Sequence, residues 1–100
     1  MKVVTRTQKK ILKFMAARYD RPLLNTARAH EILGDDDAAL ADLRRLVRRV
    51  PESFDGWKQL GALLEKRGDR AGALTAYRRS ARLLPTDPAV RRAVTRLRTR

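Results

Sequence analysis

The chain has 100 residues, enough for one domain with a modest core, and no cysteine, which excludes disulfides, thiolate metal sites and a cysteine nucleophile. Its 24 basic residues against 11 acidic give a net charge of +13, which favours acidic proteins, nucleic acid or anionic lipid as partners. Residues 1–20 are basic throughout and never apolar for more than a few positions, so they lack the run of a secretory signal or a membrane span, and the sequence reads as a soluble, cytoplasmic protein.

In chain order, Thr5 and Gln8 stand at capping-box spacing at the start of a helix predicted over about 6–19. Ile11, Leu12, Phe14, Met15 and Tyr19 recur there near a helical period, and Lys9, Lys10, Lys13 and Arg18 take most of the other positions, so one side is built to be buried. Pro22 cannot extend that helix but suits the first turn of the next, which Gly34 ends near Leu33 by supplying a left-handed residue. Asp35 caps a third helix, with Asp36 and Asp37 in its first turn and Arg44, Arg45, Arg48 and Arg49 in its last two, complementing the helix dipole at both ends. Pro51 stops it. Ser53 opens the next segment, with a helix over 57–67, then Gly68 and Asp69, a helix over 70–84, and Pro85. Asp87 and Pro88 read as cap and first residue of a last helix carrying Val90, Val94 and Leu97 on one stripe and Arg91, Arg92, Arg96 and Arg98 elsewhere.

A 34-residue shift lays 20–53 on 54–87 and matches Glu31 with Glu65, Gly34 with Gly68, Asp35 with Asp69, Ala39 with Ala73, Leu40 with Leu74, Arg44 with Arg78, Arg45 with Arg79, Arg48 with Arg82 and Pro51 with Pro85. Within the second copy, Trp57, Leu60, Gly61, Leu64, Gly68, Ala73, Tyr77, Ala81 and Pro85 fall at the spacing of one helix-turn-helix unit. The pattern resembles the tetratricopeptide repeat. Leu64 stands for that family's first Tyr and Tyr77 for its Phe, and the first copy is degenerate, with Leu23 for the Trp, Thr26 and Ala27 for Leu-Gly, and His30 for the aromatic. The resemblance implies an all-α fold, a short right-handed helical solenoid of about six helices in a single domain. Its parts are a basic amphipathic helix over 1–19, repeats over 20–53 and 54–87, and a capping helix over 88–100. Small residues at Ala27, Gly61, Ala39 and Ala73 let paired helices approach closely, with Trp57, Tyr77, Leu43 and Leu64 filling the space between.

Chemistry is poorly supported. His30, the only histidine, sits at a packing position of the repeat and has no nucleophile beside it; Ser53 and Ser80 read as a helix cap and a small residue of the second unit's second helix. Asp35, Asp36 and Asp37 lack the alternating ligands, Gly and terminal Glu of a calcium loop, and no glycine-rich phosphate loop precedes a helix. The chain is read as a non-enzymatic binding module without cofactor or metal.

The family holds extended peptides on helix-A positions of its inner face. Carried over, these are Arg21, Leu24, Asn25, Arg28, Glu31 and Ile32, then Asp55, Lys58, Gln59, Ala62, Glu65 and Lys66. The Lys and Asn pair with which some members grip a C-terminal carboxylate is incomplete, since Leu24 pairs with Arg28 and Lys58 with Ala62. What remains is a cationic groove of Arg28, Lys58, Arg92 and Arg96 beside Asn25 and Gln59, suited to an acidic protein or peptide segment. The alternative is a nucleic-acid backbone tracked by two rows, Arg44, Arg45 and Arg48 with Arg78, Arg79 and Arg82, set on helices about 10 Å apart. A third reading places the first helix on an anionic membrane or a partner, although docking on Leu23 and Leu24 is preferred. Self-association through the solenoid ends stays open, and the basic excess has a bland explanation in coding bias, 18 of the 24 basic residues being arginine.

Overall fold

The computed structural model describes Arg6 and residues 21–99. Five helices follow in order: α1 (Arg21–Ile32), α2 (Asp36–Arg49), α3 (Phe54–Lys66), α4 (Arg70–Leu83) and α5 (Pro88–Arg98), with no strand among the described residues. Five of the six expected helices are thus present. The one expected over 6–19, with its capping box and its docking on Leu23 and Leu24, lies outside the described residues apart from Arg6.

Each helix packs on its successor and no other pair makes more than marginal contact, so the chain builds two hairpins, α1–α2 and α3–α4, closed by α5. The hairpins repeat the same terminating and capping hydrogen bonds at their turns. Gly34 and Gly68 adopt φ of 82° and 88°, in the left-handed region where a side chain would be strained. Around them Gly34 N donates to Glu31 O at 3.0 Å and Asp35 N to His30 O at 2.8 Å, as Gly68 N does to Glu65 O at 3.0 Å and Asp69 N to Leu64 O at 2.9 Å. Asp35 then accepts from Ala38 N and Asp69 from Gly72 N, capping α2 and α4. One unit further on, the equivalent positions Ser53 and Asp87 cap α3 and α5, Ser53 accepting from Gly56 N at 2.9 Å and Asp87 from Ala89 N at 3.0 Å.

The core runs between the hairpins. Leu43, Leu46, Leu63 and Val90 are fully buried, and Ala39 and Ala73 are 0% exposed, as helix pairs at close approach require. Two glycines let α3 sit between its neighbours: a Cβ on Gly56 would stand 2.9 Å from Leu46 of α2, and one on Gly61 would stand 3.1 Å from the Tyr77 ring of α4. Ser80, 1% exposed, donates to Phe54 O at 2.9 Å and ties α4 to the start of α3. Trp57 departs from the expected filling role. It is half-buried at the edge of the core, its indole donating to Pro51 O at 2.9 Å and the Arg79 guanidinium lying 5.2 Å from its ring centroid. The ring therefore braces the α2–α3 connection, with a cation over its exposed face.

Candidate partner-binding surfaces

The first two turns of α1 and of α3 border a cleft of about 210 Å³. Arg21, Asn25 and Arg28, spaced at one and two turns along α1, supply one wall; Phe54, Asp55 and Gln59 of α3 supply the other. Asn25, Arg28 and Gln59 of the expected groove are thus brought together. Arg28 has no hydrogen-bond or ion-pair partner among the described residues.

Lys58, Arg92 and Arg96 stand apart from that cleft, along the α3–α5 junction. Lys58 Nζ donates to Asp87 Oδ2 at 2.9 Å, and the carboxylate is 13% exposed. Its pKa is held below the ordinary value first by that hydrogen bond, against the upward push of burial, with further help from the backbone amides it caps. Arg96 donates to both oxygens of Glu65, its Nη2 at 2.8 Å from each, and this pairing raises its already high pKa. The Tyr77 hydroxyl, 3.5 Å from Glu65 Oε1, is pushed up in pKa by burial and then by the Glu65 charge. Two of the four expected groove cations are therefore matched by internal carboxylates. Arg92 remains exposed on α5, in a shallow concavity of about 470 Å³ shared with Pro88, Arg91, Thr95 and Arg96.

Of the arginine rows, Arg44, Arg45 and Arg48 are exposed on α2 and Arg78 and Arg82 on α4. Arg79 is drawn onto Trp57, and α2 and α4 make at most marginal contact, so the two rows are not held side by side on one packed helix pair. Asp36 and Asp37, besides lying in the first turn of α2, meet Lys66 at 3.3 Å and Arg67 at 2.7 Å across the hairpins.

One polar contact escaped the sequence reading. His30 Nδ1 of α1 meets Asp42 Oδ2 of α2 at 2.7 Å, and Asp42 is 9% exposed. In the second unit the same two positions are Leu64 and Ala76. A polar pair thus replaces an apolar one inside the first hairpin, and the joint departure of both positions from the repeat was the signal available.

Stacked hairpins of one build, each burying its neighbour's face, define a helical-repeat protein. The tetratricopeptide repeat profile matches residues 20–63 and 54–97, so the chain belongs to the tetratricopeptide repeat family. Repeats of this family are protein-interaction modules and typically non-catalytic scaffolds. No curated protein matches the chain. Among the described residues, no helix is long and apolar enough to cross a membrane, and no three His, Asp or Glu side chains stand where they could share a metal ion.

Proposed function

We propose that the chain is a non-enzymatic adaptor that takes an acidic segment of a partner protein along the inner face of α1, α3 and α5. The observation that carries this is Arg28 in the α1–α3 cleft, a guanidinium with no partner among the described residues, flanked by the amides of Asn25 and Gln59. A carboxylate entering there meets two guanidinium groups, Arg21 and Arg28, against the one carboxylate of Asp55, and two amide groups that can donate to it. Lys58 and Arg96 extend the surface towards Arg92, but an arriving acid competes with Asp87 and Glu65 for them instead of meeting bare charge. The cleft supplies the anchor and the α3–α5 junction the adjustable part.

The second reading, nucleic-acid binding, draws on Arg44, Arg45, Arg48, Arg78 and Arg82, all exposed and without acidic partners among the described residues. Fluorescence anisotropy with a labelled hexaglutamate peptide and a labelled single-stranded oligonucleotide separates the two. Arg28→Glu is expected to weaken peptide binding by about tenfold or more, whereas Arg44→Glu with Arg45→Glu leaves it nearly unchanged. The opposite order, with log affinity falling steeply against log salt, would establish the nucleic-acid reading in its place.

A further inference from the structure

Residues 70–100 carry nine arginines and one acid, Asp87, which Lys58 engages at 2.9 Å. Among the other acids, Asp36 pairs across helices with Lys66, Asp37 with Arg67 and Glu65 with Arg96. None of them serves the arginines where α4 meets α5. Arg78 and Arg82, one turn apart on α4, and Arg91 on α5 line a single concavity of about 340 Å³, with Thr95 one turn beyond Arg91 and apolar surface from Ala81 and Val94. None of the three guanidinium groups has a hydrogen-bond or ion-pair partner among the described residues. Like charges one turn apart on a helix repel each other, so the arrangement disfavours itself until an anion is present.

We infer that this α4–α5 concavity is a phosphate-monoester site that holds a phosphorylated side chain of a partner protein. A guanidinium offers a planar fork of N–H donors that engages two phosphate oxygens in parallel. Forks approaching from two helices match a tetrahedral group with three terminal oxygens better than a planar carboxylate with two. The monoester's charge, about −1.5 to −2 at neutral pH, also offsets more of the local positive charge than a carboxylate can. The Thr95 hydroxyl donates to Arg91 O at 3.1 Å, so the donors belong to the arginines. A nucleic-acid backbone needs a run of bare cationic sites along one surface; here Arg79 is held over Trp57, and in the adjoining concavity, which shares Arg91 and Thr95, Arg96 is engaged by Glu65. The α4–α5 concavity shares no residue with the α1–α3 cleft. The adaptor reading enters only in making a protein the carrier of the phosphate.

The test is nuclear magnetic resonance of arginine Nε–Hε groups in the ¹⁵N-labelled full chain at constant ionic strength. Inorganic phosphate and O-phosphoserine are expected to shift Arg78, Arg82 and Arg91 along one saturating curve while Arg21, Arg28 and Arg44 stay in place. Glutamate should bind the same groups about fivefold or more weakly, and Arg82→Gln with Arg91→Gln should weaken O-phosphoserine by about tenfold with an unchanged helical spectrum. Glutamate equalling O-phosphoserine, or all arginines drifting together without saturation, overturns the inference. So does a single-stranded oligonucleotide that moves Arg44, Arg45, Arg48, Arg78 and Arg82 together where O-phosphoserine moves none. Hexaglutamate added to the same sample reports separately on Arg28. Its failure with O-phosphoserine still bound removes the cleft reading and leaves this one standing, and the reverse removes this one alone.

Discussion

Lys58 and Asp87 show how one contact can serve a fold and restrain a surface at once. Asp87 caps α5 with its Oδ1 while Oδ2 receives the Lys58 ammonium, so a single carboxylate joins α3 to the start of α5. With 37% of the Lys58 side chain exposed, the pair contributes under about 1 kcal/mol. Because the folded-state pKa of Asp87 lies below its unfolded value of 3.8, that contribution is complete above about pH 5, where the unfolded carboxyl is ionised too, and disappears as pH falls through the folded value. Lys58→Met removes the largest cause of the depression. The Asp87 carboxyl midpoint, followed by nuclear magnetic resonance, is expected to rise, and the stability difference from wild type to be present at pH 7 and absent in strong acid; an unmoved midpoint would assign the depression to the capping amides alone. Trp57 offers a second residue-scale test. Half-buried and bonded to Pro51 O, it should cost about 2 kcal/mol on truncation to alanine, less than the 3–5 kcal/mol of a fully enclosed tryptophan. A chemical denaturation midpoint shift of the fully enclosed size would place the ring in the core after all.

The hairpin turns are the element that repeats most faithfully, and the reason is local. A helix that ends on a left-handed glycine, followed at once by an aspartate whose carboxylate caps the next helix, is specified by two adjacent residues, Gly34–Asp35 and Gly68–Asp69, and needs no distant partner. Nothing lies within 4 Å of where a Cβ would stand on either glycine. Gly34→Ala and Gly68→Ala should therefore each destabilise through backbone strain alone, by about 1 kcal/mol and by similar amounts. Thermal melts check this, and a large inequality would mean that one turn also carries tertiary strain. Gly61 is of another kind: its open conformation is ordinary, and what excludes a methyl there is the Tyr77 ring at 3.1 Å.

At the scale of the molecule, two repeats are fewer than the three or so that usually sustain such an array, so the outer faces of α1 and α4 need cover. α5 supplies it on one side, with Val90 and Leu97 buried and Val94 against the core. On the other side Leu23 and Leu24 of α1 belong to the margin of the core, while Ile32 and Leu33 at its end are 78% and 79% exposed. The apolar stripe of Ile11, Leu12 and Met15 is suited to that side. Deleting residues 1–19 is expected to lower stability by several kcal/mol, at about 25 cal/mol per Å² of apolar surface uncovered, or to drive dimerisation through the bared face. Light scattering and melts on the truncated chain decide it, and a monomer as stable as the full chain would mean that the segment covers nothing.

Period, turns, caps and close approaches were legible from residue identities, because each depends on neighbours within one hairpin: the 34-residue repeat, the left-handed glycines, the capping aspartates and Ser53, and small residues such as Ala39 and Gly61. The positions expected on an inner face came from the repeat register, and of these Asn25, Arg28 and Gln59 line one cleft. Which cations are bare was decided only by tertiary packing. Lys58 with Asp87, 29 positions apart, and Arg96 with Glu65, 31 apart, depend on how α5 settles against α3. Arg79 over Trp57 likewise depends on how α4 lies against the start of α3. A long charged side chain can reach several partners from one backbone position, so its sequence neighbours restrict it little, whereas a capping residue or a left-handed glycine has its partners within a few bonds along the chain.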